Sequence, residues 1–212
     1  MPNRNPLAAA ILTGGRASRM GGQRKSLLTI GGSSIIDRQL AALRQVADPI
    51  FQVTSANRPA DVGLAFVIDE FPECGALGGI YTAIVRSPHE RTLVVACDMP
   101  FLDERFLEHM AALEADLVIP RSARGYEPLC AIYSRACAAP IRERLIRGEL
   151  KAARLPEGVK VAEMSAETVA AYDPDGLLLL NVNTPHDYER AKQVLEGRSK
   201  TSRDRIMDEL GP

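Results

Sequence analysis

An apolar run, Leu7 to Leu12, stops at Thr13-Gly14-Gly15, and the polar segment after it carries Arg16, Arg19, Arg24 and Lys25 with no acid among them. No other stretch limits the fold as tightly. A short apolar run feeding a glycine pair reads as a strand that delivers a loop. Glycines let backbone N–H groups approach an anion closely, because no Cβ intervenes and positive φ is open to them. Four cations beside such amides suit a polyphosphate, Arg gripping two oxygens at once and Lys acting as a point charge. Two familiar phosphate loops are excluded. A Walker A loop needs G-x-x-x-x-G-K-[ST], whereas Arg24 precedes Lys25, and a dinucleotide fingerprint needs G-x-G-x-x-G, which Gly14-Gly15-Arg16 breaks.

The rest of the chain alternates strand-like and helix-like segments, the pattern of an α/β domain built on a mainly parallel sheet. At 212 residues it suits one domain over 1–196, followed by a charged tail over 197–212. Expected helices run from a Ser33 or Ser34 cap to about Val46, from Ile80 to Arg86, from Asp103 to Leu113, from Pro140 to Arg147, near Ala166, and from a Thr184 cap to about Leu195. Expected strands are Ile50–Thr54, Ala65–Ile68, Thr92–Ala96, Asp116–Ile119, Pro128–Tyr133, Lys160–Met164 and the apolar run from Leu177 to Asn183. Residues 70 to 79 read as a loop and the RSARGYE segment as a mobile turn.

Net charge −1 and a pI near 6.3 give no global basic footprint, which argues against nucleic acid as a partner. Nothing approaches 18 consecutive apolar residues and MPNRNP lacks the apolar core of a signal peptide, so the expectation is a cytoplasmic protein with no membrane role. Cys74, Cys97, Cys130 and Cys137 are scattered without a C-x-x-C, so they read as buried thiols, Cys74 in a loop being the exception.

In open parallel sheets a ligand binds outside the carboxyl ends of the strands. Five expected strands end in residues suited to a nucleotide: the glycine loop, Asn57, Asp69, Asp98, and Asn181 with Asn183. Asp69 and Asn57 also have ordinary readings as turn residues. Asp98 is different, because it follows a strand too apolar to be an edge and Pro100 denies it a helical continuation, so its carboxylate belongs at the rim. A hard oxygen there suits Mg²⁺, which takes one or two protein carboxylates together with phosphate oxygens and water.

With ILTGGRASRMGGQRKSLL, SANRP, GALGGI, ACDMPFL, EPLCAIY and NVNTPHDYERA in place, the chain from Ala8 to Leu195 resembles the molybdenum cofactor guanylyltransferases, the MobA-type nucleotidyltransferases. The resemblance implies a single-domain, Rossmann-like three-layer sandwich of the nucleotide-diphospho-sugar-transferase type. It implies transfer of GMP from GTP to molybdenum-molybdopterin with Mg²⁺ as cofactor, and molybdoenzymes or cofactor-biosynthesis proteins as partners. Carried over by position, Leu12, Thr13, Gly14 and Gly15 line the nucleotide site, and Lys25 and Arg19 hold the triphosphate. Asn57 and Asp69 meet the guanosine, Asp98 binds nucleotide and metal, and Asn181 and Asn183 lie on the acceptor side. Thr13 stands where the family usually has Ala, and GALGG where it usually reads G-P-L-A-G. The alternatives are a relative using CTP or a sugar or alcohol phosphate, and a non-catalytic nucleotide or cofactor carrier.

Overall fold

The computed structural model describes residues 6–13, 19–20, 23–24, 27–55, 63–173 and 175–195. Its first strand, β1 (Leu7–Leu12), is buried at all six positions, which a strand achieves only with both faces covered. Ser34 caps α1 (Ile35–Leu43) by accepting a bond from the Asp37 amide, and the chain beyond Leu43 continues as a turn to Val46. Next come β2 (Ile50–Thr54), β3 (Ala65–Ile68), α2 (Gly75–Arg86), β4 (Arg91–Ala96) and α3 (Glu104–Ala112), which is capped by Asp103. The second half adds β5 (Leu117–Ser122), β6 (Gly125–Tyr126), β7 (Cys130–Ser134), α4 (Ala138–Ile146), β8 (Val161–Met164) and α5 (Ala166–Tyr172), then a helix over 185–195, α6.

The sheet has eight strands in the order β6-β5-β7-β4-β1-β2-β3, with β8 joined to β5. Strands β1, β2, β3 and β4 run parallel, β7 runs against both β4 and β5, and β8 is parallel to β5. The chain moves from β1 outward through β2 and β3, then crosses back to place β4 on the other side of β1. The carboxyl ends of β1 and β4 therefore flank the point where successive connections leave in opposite directions, the crevice where such sheets take ligands.

Period-two alternation sorts the side chains of the central strands. Ala9, Ile11, Leu93 and Val95 meet Ile36, Leu40, Leu43, Phe106, Leu107 and Met110 on the face covered by α1, α3 and α5. Ala8, Ala10, Leu12 and Val94 meet Leu77, Ile80, Ile84, Ile141 and Leu145 on the face covered by α2 and α4. A third cluster, Leu28, Ile30, Ile35, Leu177, Leu180, Val182 and Ala191, lies under α6.

Three segments differ from the sequence-based expectation. Helix α2 starts at Gly75 rather than Ile80 and runs through Gly78 and Gly79. The glycines permit close approach: a methyl on Gly78 would collide with the Phe71 carbonyl oxygen, and one on Gly79 would sit 3.0 Å from a Leu12 methyl. Packing thus overrides their poor helix propensity. The run from Leu177 to Asn183 forms turns instead of a strand. The Asp173 carboxylate accepts the Leu177 and Leu178 amides at 2.6 and 2.9 Å, and consecutive leucines are shared between two clusters, Leu178 and Leu179 in one, Leu177 and Leu180 in the other. The RSARGYE segment is a β-hairpin in which Arg121 and Ser122 face Tyr126 and Gly125. Among the described residues no helix is long and apolar enough to cross a membrane.

Candidate active site

The switch point is tied together by backbone. The Cys97 amide donates to the Leu12 carbonyl at 3.3 Å, joining the ends of β4 and β1. Thr13 turns toward β2, its amide and hydroxyl both donating to the Val53 carbonyl at 2.9 and 3.2 Å. The Leu12 side chain is buried against α2, so Leu12 offers the site a wall position and not an exposed group. Beyond Thr13 a two-residue ladder sets Arg19 opposite Arg24 and Met20 opposite Gln23. Gly14, Gly15 and Lys25 lie outside the described residues, as does Asn57.

Asp98 is half-buried immediately beyond β4. Met99, 1% exposed, plugs the next position into the core and so fixes the turn that carries the carboxylate. The Asp98 carbonyl accepts the Val182 amide at 2.8 Å, which draws Asn181 and Asn183 to the same rim although no strand delivers them. From beneath, the fully buried Gln39 on α1 donates from Nε2 to the Ala96 carbonyl at 2.6 Å. Sequence reasoning passed over Gln39; its signal was one amide within the otherwise apolar buried face of α1.

Asp69 ends β3, its amide donating to the Thr54 carbonyl at 2.9 Å. Its Oδ1 accepts the Phe71 amide and the Thr82 hydroxyl, both at 2.9 Å, while the Thr82 oxygen accepts the Glu70 amide. One carboxylate oxygen is thus used to shape the loop into α2, the ordinary turn role already weighed for this residue. On the other flank, Glu127 precedes β7, and its Oε1 accepts the Ser122 hydroxyl at 2.7 Å and Arg124 Nη2 at 3.2 Å. Arg124 Nη2 also donates to the Leu179 carbonyl at 3.0 Å, fastening the β5–β6 hairpin to the 177–183 segment.

Asp187 closes the rim at the start of α6. Its Oδ2 accepts the amides of Asn183 and Thr184 and the Thr184 hydroxyl, and its own amide donates back to Thr184. Burial works against the charged form, but these bonds, helped by His186, hold the Asp187 carboxyl below the usual value. Burial pushes the thiols of Cys130 and Cys137 up to about 12, which disfavours the thiolate at both.

Residues 9–164 match the model of the MobA-like NTP transferase domain. The chain is 32% identical to the molybdenum cofactor guanylyltransferase of Desulfosudis oleivorans, over 88% of its own length and 94% of the relative's. It is 34% identical to the probable molybdenum cofactor guanylyltransferase of Pelotomaculum thermopropionicum, over 91% and 95%. The crystal structure of molybdopterin-guanine dinucleotide biosynthesis protein A from Archaeoglobus fulgidus shares the fold at a TM-score of 0.72 and 24% identity, covering 90% of this chain and 99% of that one. Strand, glycine loop, rim carboxylate and family model coincide over the same part of the molecule, and the chain belongs to the MobA-like NTP transferase family.

Proposed function

We propose that this protein acts in the cytoplasm to transfer GMP from GTP to the terminal phosphate of molybdenum-loaded molybdopterin, forming the guanine dinucleotide cofactor and pyrophosphate. The observation that carries the reading is the junction of β1 and β4: a glycine-rich basic loop leaves one strand, a carboxylate follows the other, and a bond from Cys97 to Leu12 holds the two ends together. An acceptor phosphate oxygen attacks the α-phosphorus of GTP. The bond to the bridging oxygen breaks, and pyrophosphate leaves with the electron pair. Such a transfer needs positioning and charge stabilisation more than covalent chemistry, and a phosphate acceptor is already ionised at neutral pH.

Leu12, Thr13, Gly14 and Gly15 wall the triphosphate, which Lys25 and Arg19 neutralise as charge builds on the leaving group. Asn57 and the second carboxylate oxygen of Asp69 contact guanosine, and Asn181 and Asn183 bound the acceptor. Asp98 fits Mg²⁺, being a single hard rim carboxylate of the kind that metal combines with phosphate oxygens and water. Substrate phosphate oxygens and water would complete the donor set around the ion. When bound, the metal supplies Lewis-acid neutralisation of phosphate charge.

The test is pyrophosphate release with Mg²⁺ from each of the four NTPs, with and without molybdenum-loaded molybdopterin. Release is expected with GTP and acceptor together and not with either alone. Release with CTP would reassign the nucleotide, and GTP binding without release would make the protein a carrier. In the same assay Lys25→Ala should lower kcat/KM for GTP about 10²- to 10³-fold; an unchanged value would remove the lysine from the triphosphate site.

A further inference from the structure

The rim is asymmetric about Asp98. In the strand order, β1 with its glycine loop and then β2 and β3 lie on one side of β4, and β7 and the β5–β6 hairpin lie on the other. An in-line displacement places the attacking and leaving oxygens on opposite sides of the α-phosphorus. With pyrophosphate over the glycine loop, the acceptor phosphate arrives on the hairpin side, where a second anion needs a cation of its own.

The hairpin carries one in a prepared position. Arg124 has a side chain 63% exposed, yet its Nη2 is held by Glu127 Oε1 at 3.2 Å and the Leu179 carbonyl at 3.0 Å. Neither Nη1 nor Nε takes part in those bonds. Both anchors lead back to the end of β4. Glu127, with a side chain only 14% exposed, lies two residues before Leu129, whose carbonyl accepts the Ala96 amide, and Leu179 lies three before Val182, whose amide meets the Asp98 carbonyl. A guanidinium restrained at one nitrogen, and bonded at no other among the described residues, is pre-organised for two-point contact with a phosphate.

From this geometry we infer that Arg124 binds the terminal phosphate of the acceptor, and that Glu127 and Ser122 are positioning residues that aim it. The inference rests on the reading above that the acceptor is a phosphate monoester, and it makes Arg124 a determinant of that choice over a neutral hydroxyl. Steady-state kinetics with GTP and molybdenum-loaded molybdopterin test it on wild type, Arg124→Ala, Arg124→Lys and Glu127→Gln. Arg124→Ala should raise KM for the acceptor about 10- to 100-fold while KM for GTP stays within about twofold. Arg124→Lys should recover part of the loss and Glu127→Gln should show a smaller rise. An acceptor KM unchanged in Arg124→Ala, or a matching rise for GTP, would overturn the assignment and leave Arg124 a hairpin tether. Ultrafiltration of molybdopterin with each protein, without nucleotide, separates the two readings. If wild type fails to turn over, the proposed reaction falls, while equal molybdopterin retention by wild type and Arg124→Ala would refute the role of Arg124 independently.

Discussion

At the amino end of β4, Arg91 is 9% exposed and donates from both terminal nitrogens to the Ala111 and Leu113 carbonyls at 2.9 and 2.8 Å, closing the end of α3. At the carboxyl end of the same strand, Asp98 lends the fold its backbone carbonyl, which accepts the Val182 amide, and presents a carboxylate at the rim. The lower end is otherwise well supplied with charge. A cleft of about 390 Å³ there is lined by Glu90, Arg91, Glu114, Asp116 and Lys160. Two of those groups serve the chain itself: Arg91 closes the end of α3, its pKa lowered by burial while Glu114 opposes that shift, and the Asp116 carboxylate accepts the Lys160 amide and the Ser134 hydroxyl. Charge density alone would point to the opposite end of the sheet from the one where open parallel sheets take ligands. Strand direction decides which end is open to a ligand.

The contrast predicts opposite phenotypes. Asp98→Ala should cut turnover by at least about 10³-fold while changing stability by less than about 1 kcal/mol in urea unfolding. Arg91→Ala should cost about 2–4 kcal/mol, because two carbonyls at the end of α3 lose charged donors, and should leave kcat of the folded fraction near wild type. Retained activity in the first variant, or a stable but inactive second, would break the division between the two ends. Gly78→Ala marks where the rim depends on packing, and it should destabilise by about 2–3 kcal/mol, read as a lower urea midpoint. A neutral effect would mean that the α2 start can slide away from Phe71.

How far the site was legible follows the same physics. The runs Leu7 to Leu12 and Thr92 to Ala96 announced themselves as strands because every position in them is apolar or β-branched, and Asp98 was visible as the first charged residue after the second run. Strand β3 and the Asp69 turn were equally plain. The start of α2 was hidden because its glycines answer to the Phe71 carbonyl, folded back by the turn before the helix, and to Leu12 across a layer. The Leu177–Leu180 run mimicked a strand because two different clusters claim the inner and the outer pair of its leucines, a division that depends on where α6 lies. Arg124 was read as part of a loose turn because its partners, Glu127 and Leu179, are brought to it by the hairpin and the core.

Smaller effects sharpen the picture at both ends of the sheet. With thiols pushed up to about 12, Cys130 and Cys137 should react with iodoacetamide at pH 8 on the order of 10³-fold more slowly than an ordinary exposed thiol, measured by mass spectrometry of native protein. Rapid native labelling would contradict their burial. Asp187→Ala should cost about 0.5–1 kcal/mol at pH 7 through the lost α6 cap. Because the folded carboxyl titrates below its unfolded value, its contribution is present above the unfolded pKa and is lost as pH falls through the folded one. The gap between variant and wild type in urea should therefore close in acid, and a gap that persisted there would assign the effect to packing.

The central claim is that this rim moves the α-phosphate of GTP and releases the other two. Two parallel reactions with molybdenum-loaded molybdopterin, one with GTP labelled at the α-phosphorus and one at the γ-phosphorus, follow that bond directly. The account predicts α-label in the pterin product and γ-label in pyrophosphate. Label from the γ-position in the acceptor, or release as single phosphate with GDP, would contradict it.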